Sequence, residues 1–251
     1  MRIPRPTLAR VFWRCLFMQA AWNRRGMQNL GFAYAIDPAL RRIYPDPARR
    51  AEALGRHLGF FNCHPYMAAA IVGGAIHHEE RVAAGSEPTG MPLQYKQTLQ
   101  GPLAAVGDGF FWTALRPLFG ALAALGALLF GGLAIVVALA VYNAIHVALR
   151  ARLFLAGYRR GDAVVEEIAR LSLPVTAERL RSAGAAACGA AAAVVLVLGA
   201  GGAVAPLLSA LAAGAGYLAL ARGARLFPTA YLATLAGIGA AAVLGRIQGG
   251  F

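Results

Sequence analysis

The sequence predicts an all-α integral membrane protein. Of its 251 residues, 59% are hydrophobic and only 14% are charged, whereas a soluble globular domain carries about 25% charged residues. The mean hydropathy is +0.57, and the second half contains apolar runs of the length that crosses a bilayer, about 20 residues. We expect N-terminal amphipathic and re-entrant helices, then a bundle of about five transmembrane helices with a broken helix near residues 101–117.

The charge of the chain is strongly positive. A formal net charge of +13 results from 24 basic and 11 acidic residues. Such a charge can indicate nucleic-acid binding, but no cluster of basic residues interleaved with aromatic residues resembles a known binding module. Lipid headgroups, and the excess of basic residues in cytoplasmic loops of membrane proteins, explain the arginines better. The sequence therefore predicts the lipid bilayer as a partner and no nucleic acid.

The cysteines and the N-terminus exclude two further classes. Cys15, Cys63 and Cys188 are far apart and form no CxxC pair, so we expect neither a disulfide framework nor a metal site. Arginines continue through Arg10 and Arg14 without the apolar core of a cleaved signal peptide. The first segment is expected to stay in the mature protein, with a cytoplasmic N-terminus.

Residues 1–100 form the predicted N-terminal amphipathic and re-entrant region. From Thr7 to Leu30, apolar residues recur at near-helical spacing with arginines between them, which is typical of a helix that lies on or enters the membrane. The next segment, Gly31 to Ile43, has a mixed pattern, and the prolines in the stretch Tyr44 to Pro47 end it. Ala48 to Gly59 is then polar enough to form a solvated helix.

The stretch from Phe60 to Ile76 is apolar but short. At about 17 residues it falls at the lower limit for a membrane span, so we expect a re-entrant or buried segment. Asn62 and His64 are its polar groups. They have the hydrogen-bonding capacity to bind a sugar or a coupling group, or to satisfy nearby backbone, and both interpretations stay open. The polar residues 77–80 that follow are expected to end a helix.

The stretch from Gly101 to Pro117 contains helix breakers beside charged residues. We expect a glycine-rich loop and a new helix with Asp108 as its N-cap, because a carboxylate accepts hydrogen bonds from the first helical turn. Pro117 cannot donate to the carbonyl of Thr113, which predicts a kink. A broken helix with a charge near membrane depth would suit a transport site. The alternative is an ordinary cap, with Arg116 reaching out to the headgroups.

The remaining sequence divides into three predicted regions. Residues 101–150 contain the glycine-rich loop and two apolar spans, with a break at Gly131-Gly132. Residues 151–181 are amphipathic and rich in arginine, and should be cytoplasmic. Residues 182–251 contain further transmembrane helices rich in glycine and alanine, which suit close helix packing.

The sequence contains three motifs whose identity and order point to a known family. They are Gln19 to Ala35, Arg56 to Ala68 and Gly101 to Pro117. They read QAAWNRRGMQNLGFAYA, RHLGFFNCHPYMA and GPLAAVGDGFFWTALRP. Together they resemble the enzyme IID component of the mannose/fructose/sorbose family of phosphotransferase-system (PTS) sugar permeases. The resemblance covers nearly the whole chain, although the last seventy or so residues match only in hydropathy and layout.

The resemblance implies a function and a set of partners. Family members pair with a IIC membrane subunit to translocate a hexose, which soluble IIA and IIB phosphocarriers phosphorylate. It also implies a multi-pass protein of the bacterial cytoplasmic membrane, assembled as a higher oligomer of IIC–IID pairs. Members of the family are not themselves phosphorylated, so neither Cys63 nor His64 is expected to carry a phosphoryl group. No cofactor is implied.

The candidate residues for the sugar path or the IIC interface come from these three stretches. They are Asn23, Gln28, Asn29, Asn62, His64, Asp108, Trp112 and Arg116. No catalytic motif is present, so we expect a non-catalytic subunit. Two alternatives are a regulatory or receptor-like protein derived from a IID subunit, and a metalloenzyme built on His77, His78 and Glu80. The spacing of those three residues disfavours the second.

Overall fold

The structure is a computed structural model and describes residues 3–199. Within that range the chain forms helices joined by turns, without a β-strand, which confirms the all-α class. The α-helices are α1 (Arg5–Cys15), α2 (Asn29–Ile43), α3 (Pro47–His57), α4 (Ala68–Ala83), α5 (Met91–Gly107), α6 (Arg116–Phe130), α7 (Leu133–Arg160), α8 (Val164–Arg170) and α9 (Leu173–Gly199). A π-helical stretch, Asp108–Leu115, joins α5 to α6, and a 3-10 helix, Gly161–Ala163, joins α7 to α8.

The N-terminal helix is shorter than the sequence predicts. It ends at Cys15, so a single helix from Thr7 to Leu30 is wrong. Asn23 turns the chain, because its side-chain Oδ1 accepts a hydrogen bond from the backbone N–H of Gly26 at 2.8 Å. The φ of Met27 is 57°, a left-handed conformation that does not occur within a right-handed α-helix. A short polar side chain that forms hydrogen bonds with nearby backbone competes with helix formation. At Asn23 the turn forms in place of the helix.

A proline inside α2 links this helix to α1. Pro38 lacks the N–H that would donate to the carbonyl oxygen of Tyr34, four residues earlier. Arg14 of α1 supplies the missing donor, since its Nη1 lies 2.9 Å from that oxygen. The same Nη1 lies 3.1 Å from Asp37 Oδ2. The proline thus leaves the carbonyl oxygen of Tyr34 free to accept a hydrogen bond that joins α1 to α2.

Helix α4 forms the centre of the fold. Residues 68–76 are all buried, and α7 crosses them closely. A Cβ on Gly73 would lie 2.2 Å from the carbonyl oxygen of Phe154, and one on Gly157 would lie 2.2 Å from that of Ala70. Only small residues let two helix backbones approach in this way. The segment predicted as re-entrant or buried is therefore buried within the protein.

The predicted helix break near residues 101–117 is wrong, because helical structure continues from Met91 to Phe130. Asp108 has helical dihedral angles, with φ −62° and ψ −44°, so it is not the predicted N-cap. The irregularity is a widened turn in which the backbone N–H of Arg116 donates to the carbonyl oxygen of Phe111, five residues back. π-Helical turns of this kind often occur at functional sites.

The widened turn is supported from outside the helix backbone. The carbonyl oxygen of Gly109 accepts hydrogen bonds from Thr113 Oγ1 at 2.7 Å and from Arg181 Nη1, on α9, at 3.4 Å. Pro117 lies in the first turn of α6, a position that proline tolerates well. The π-helical stretch therefore allows the chain to pass the proline without the predicted break.

The long apolar helices leave most of their surface uncovered. Helices α6 and α7 separate at Gly131 and Gly132 as predicted, and the φ of 82° at Gly131 favours glycine. Two helical stretches, Met91–Phe130 and Leu133–Ala192, are long and apolar enough to cross a membrane. Only 22% and 11% of the residues in their most apolar windows are buried within the chain. The described part of the chain therefore presents a large apolar surface, of the kind that meets lipid or another protein.

Helices cross all three of the predicted region boundaries. The boundary between residues 100 and 101 lies inside α5, that between residues 150 and 151 lies inside α7, and that between residues 181 and 182 lies inside α9. The predicted apolar spans near residues 206–221 and 227–244 lie outside the described residues, as do Arg222 and Arg225 between them. The predicted total of about five transmembrane helices stays a prediction.

Candidate functional site

A cleft between α6 and α7 gathers polar and aromatic side chains near the π-helical stretch. Its volume is about 470 Å³, within the usual range of about 300–1,000 Å³ for ligand pockets. We call it the aromatic cleft, and the residues that define it are Tyr66, Trp112, Arg116, Phe119, Tyr142 and Asn143. Two of them, Trp112 and Arg116, are candidates that the sequence identified.

The aromatic rings of the cleft hold one another in place. The ring of Tyr66 stacks on that of His146 at 4.2 Å between centroids and 6° between planes, and its hydroxyl lies 3.4 Å from that of Tyr142. The Arg116 guanidinium lies 4.9 Å from the Trp112 ring centroid. Arg116 itself is exposed, so its donors face the cleft with no protein acceptor among the described residues.

Asn143 and His146 form the α7 side of this arrangement. Asn143 Nδ2 donates to the carbonyl oxygen of Leu139 at 2.7 Å, and its Oδ1 lies 2.9 Å from His146 Nε2. Both residues interrupt an apolar run in the sequence. Their spacing of three residues on a helix places them on one face, a signal that could have associated them with the site.

His64 is buried behind the cleft. Its ring stacks on Phe111 at 4.8 Å and meets Trp112 edge-on at 5.1 Å, while its Nδ1 accepts from the backbone N–H of Tyr66 at 3.2 Å. Burial, reinforced by the charges of Arg150 and His146, lowers the pKa of His64 to about 3. This histidine is therefore neutral at physiological pH, and it positions the aromatic rings.

Arg150 ties the cleft to the N-terminal helices, and sequence reasoning missed this role. It is 3% exposed, and its Nη2 donates to the carbonyl oxygens of Cys15 and of Pro65, the latter at 2.9 Å. The guanidinium lies 5.4 Å from the ring centroid of Tyr66. In the sequence, Arg150 looks like one of many arginines at the end of an apolar run, so only the tertiary contacts distinguish it.

The side chains of the N-terminal candidates form hydrogen bonds within the protein and do not line the aromatic cleft. Gln28 forms two hydrogen bonds with Cys63: its Nε2 donates to the carbonyl oxygen at 2.8 Å, and its Oε1 accepts from the N–H at 3.1 Å. Asn29 Nδ2 donates to the carbonyl oxygen of Leu58 at 2.7 Å, and Asn29 Oδ1 accepts from Asn23 Nδ2 at 2.9 Å. These amides attach the first family stretch to the second.

Asn62 and Asp108 are exposed candidates, as Arg116 is. The backbone N–H of Asn62 donates to Gln100 Oε1 at 3.1 Å, while its side chain makes no hydrogen bond with the described residues. Asp108 likewise forms no ion pair within the described part of the chain. Neither residue lines the aromatic cleft.

A second cluster, which we call the buried ion network, consists of Tyr44, Arg56, His57, Glu79 and Lys96. Its centre is Glu79, a fully buried carboxylate. Arg56 binds it with two donors, Nε to Oε1 at 2.9 Å and Nη2 to Oε2 at 3.0 Å. Tyr44 donates to Oε2 and His57 Nε2 to Oε1, both at 2.8 Å. The carboxylate joins α2, α3 and α4.

Lys96 completes the network from α5. It is fully buried, and its Nζ donates to the carbonyl oxygens of His57 and Gly59 at 3.1 and 3.4 Å. The same nitrogen lies 4.8 Å from the ring centroid of Phe32. The sequence predicts a polar helix end at residues 77–80. They do lie near the end of α4, but the burial of Glu79 makes it a structural centre.

The two histidines beside Glu79 bind different partners. His77 Nδ1 lies 3.1 Å from the carbonyl oxygen of Tyr158, whereas His78 Nδ1 lies 2.8 Å from Glu87 Oε2. Within residues 3–199, no group of three or more His, Cys, Asp or Glu side chains is arranged to hold a metal ion. The metalloenzyme alternative gains no support from this geometry.

The network predicts a loss of stability in acid. Burial raises the pKa of Glu79, but hydrogen bonds and charges from His57 and Arg56 outweigh it and lower the pKa from 4.5 to about 2. The resulting stabilisation is complete above the ordinary value of 4.5 and is lost as the pH falls towards 2. Burial also lowers the pKa of His57, whose protonation in acid acts in the same direction.

We expect the unfolding temperature of the detergent-purified protein to fall steeply across this pH interval, and much less in a Glu79→Gln variant. Glu166→Gln, which removes a carboxylate with a side chain 68% exposed, is the matched control and should keep the wild-type pH dependence. Equal pH dependence in the wild-type protein and the Glu79→Gln variant would contradict the assignment.

Comparison with known proteins places the chain in a family. The profile of the PTS mannose/fructose/sorbose family IID component matches residues 2–199. The mannose-specific EIID component of Escherichia coli is 39% identical over 168 residues, covering 63% of this chain and 56% of that protein. The fructose permease IID component of Bacillus subtilis is 33% identical over 172 residues, covering 67% of this chain and 62% of that protein. The chain thus spans little more than half of the curated relatives' length.

Solved structures agree with this assignment. A cryo-EM structure of the mannose transporter ManYZ in complex with a microcin matches with a TM-score of 0.62 and 28% identity, covering 96% of this chain and 97% of that one. A second structure, described as a membrane protein, matches with a TM-score of 0.70 and the same identity. With the family profile and the long apolar helices, these similarities show that the chain belongs to the mannose/fructose/sorbose family of PTS IID components, a family of membrane proteins.

Proposed function

We propose that this chain is a IID subunit that pairs with a IIC membrane subunit to translocate a hexose across the bacterial cytoplasmic membrane. Soluble IIA and IIB proteins phosphorylate the sugar, and the chain itself performs no catalysis. The names of its relatives, which include mannose, fructose and sorbose systems, support a sugar as substrate. The observation that carries the proposal is the aromatic cleft.

The chemistry of the cleft suits a sugar. The Arg116 guanidinium offers several donors in a fixed plane to vicinal hydroxyl groups. The hydroxyls of Tyr66 and Tyr142, 3.4 Å apart, both donate and accept hydrogen bonds. The Trp112 ring offers an apolar face for the C–H surface of a pyranose. A few convergent polar groups among aromatic side chains are typical of sites for small ligands.

The other candidates take different roles in this proposal. Asn62 and Asp108 are exposed and lack side-chain partners among the described residues, so they are assigned to the IIC interface. His64, Asn23, Gln28 and Asn29 position the segments around the cleft. The apolar surface of the two long helices, mostly exposed in the described part of the chain, provides further area for the IIC subunit. In the membrane, helix association relies on such packing and on polar contacts.

The direct test is hexose uptake and phosphorylation in membranes that contain this protein, its IIC partner and the soluble IIA and IIB proteins. We expect both activities to depend on this subunit. Equal activity when it is omitted would refute the proposal, and would leave the regulatory or receptor-like alternative.

A variant test addresses the cleft itself. We expect Arg116→Gln to lower uptake about tenfold or more at subsaturating sugar, because a hydrogen bond to a charged group contributes about 1.5–3 kcal/mol. The matched control is Arg170→Gln on α8, which removes an arginine whose side chain is 66% exposed. Co-purification with the IIC subunit is measured in parallel. Normal uptake by a correctly assembled Arg116→Gln complex would exclude the aromatic cleft from the sugar path.

A further inference from the structure

Helices α1 and α2 form a second cleft, which differs in character from the first. It has a volume of about 550 Å³, and its polar lining is dominated by arginine. We call it the basic cleft, and its polar residues are Thr7, Arg10, Arg14, Asp37, Arg41 and Arg42. Four guanidinium groups therefore face one carboxylate and one hydroxyl.

The single carboxylate holds two of the arginines in place. Asp37 Oδ2 accepts from Arg14 Nη1 at 3.1 Å, and both of its oxygens lie 3.0 Å from Arg41 Nε. Arg14 is also bound by the carbonyl oxygen of Tyr34 and lies over the Tyr34 ring. Two guanidinium groups are thus fixed before any ligand arrives, which reduces the entropy lost on binding.

The other two arginines have no partner among the described residues. Arg10 and Arg42 are exposed and form no hydrogen bond or ion pair within that part of the chain. Once Asp37 has offset one charge, a net excess of positive charge remains in a concave site. Guanidinium forks match the geometry of phosphate oxygens, which they bind in a bidentate manner.

Aromatic residues beside the cleft indicate where its ligand resides. Trp13, adjacent to Arg14 in the chain, is 61% exposed, and Phe17 is 46% exposed. Their rings meet edge-on at 6.0 Å. Exposed tryptophan and phenylalanine next to arginines are typical of a helix lying at the membrane surface, where the rings enter the acyl boundary and the arginines remain with the headgroups.

We propose that the basic cleft binds the phosphate group of an anionic phospholipid headgroup. The phosphate lies between Arg10 and Arg42 and is oriented by Arg14 and Arg41, with Thr7 as an additional hydroxyl donor. Trp13 and Phe17 contact the acyl chains of the same lipid layer. The site anchors α1 and α2 to an anionic membrane surface, separately from any contact with sugar.

The test uses the purified full chain in neutral detergent with a fluorescent short-chain phosphatidylglycerol, followed by anisotropy. Arginines near a membrane surface contribute about 1 kcal/mol each. The double variant Arg10→Gln/Arg42→Gln should therefore bind the probe about 10- to 30-fold more weakly than the wild-type protein. The matched control, Arg49→Gln/Arg50→Gln, removes the same charge from α3 and should retain wild-type affinity.

Three outcomes would overturn the proposal. One is equal affinity of the wild-type protein for phosphatidylglycerol and for the zwitterionic phosphatidylcholine analogue. Another is equal weakening in the two double variants, which would show a general charge effect. The third is displacement of the lipid by glycerol phosphate at the same concentration as by unlabelled phosphatidylglycerol, which would identify a soluble phosphate ester as the ligand. The unfolding temperature of each variant establishes that it is folded.

Discussion

Replacing Gly157 with alanine is expected to destabilise the protein by about 3 kcal/mol or more, the upper end of the cost of overpacking a core. The new methyl group would lie 2.2 Å from the carbonyl oxygen of Ala70 and 3.0 Å from the backbone nitrogen of Gly74. Both obstacles are backbone atoms of α4, so no side chain can rotate away. Helices α4 and α7 would have to separate, and α4 lies at the centre of the fold.

The measurement is the unfolding free energy of the purified protein in detergent. Gly189→Ala is the matched control: it makes the same change in α9, where a Cβ has no neighbour within 4 Å among residues 3–199. It should be neutral or stabilising, since alanine favours a helix over glycine by up to about 1 kcal/mol. If Gly157→Ala matched Gly189→Ala, the close approach of α4 and α7 would be wrong.

Replacing Glu79 with alanine is expected to cost about 3–5 kcal/mol, the range found when one member of a buried ion pair is removed. The guanidinium of Arg56 and the hydroxyl of Tyr44 would lose their acceptors in a site that water does not reach. We also expect the variant to fail to assemble with a IIC subunit, since α2, α3 and α4 meet at this carboxylate.

A double variant separates the pair from the packing around it. Glu79→Gln/Arg56→Gln should be more stable than the sum of its two single variants predicts, because contacting residues are not additive. The readout is again the unfolding free energy, and Glu166→Gln serves as the control for loss of a surface carboxylate. A Glu79→Ala variant with wild-type stability would show that the network makes no net contribution.

Part of the site was accessible from sequence. Both Trp112 and Arg116 lie in a motif of the family, Arg116 as a charge within an apolar run and Trp112 as an aromatic face for a sugar. Both line the aromatic cleft. Tyr66 was quoted within the second family stretch but was not singled out. Its role depends on His146, 80 positions away in the chain, whose ring lies 4.2 Å from its own. No local pattern reports such a contact.

The helix-breaker rules failed where the surrounding structure overrode them. Gly101, Pro102, Gly107 and Gly109 all weaken a helix locally, and together they predicted a loop. The helix continues because Gly107 packs against His64, where a Cβ would lie 2.4 Å from the histidine Cβ, and because Arg181 reaches the carbonyl oxygen of Gly109. These tertiary contacts stabilise the helix by more than the low helix propensities of glycine and proline destabilise it.

The sequence by itself determined the all-α membrane class, the family and the separation of α6 from α7, because hydropathy, ordered motifs and a glycine pair are local properties. Only the tertiary structure decided that Glu79 is the centre of a buried ion network and that Arg150 joins α1, the Tyr66 segment and α7. The physical reason is that the cost of burying a charge depends on partners distant in sequence. A glutamate at a helix end and an arginine after an apolar run look alike in sequence whether they are solvated or buried.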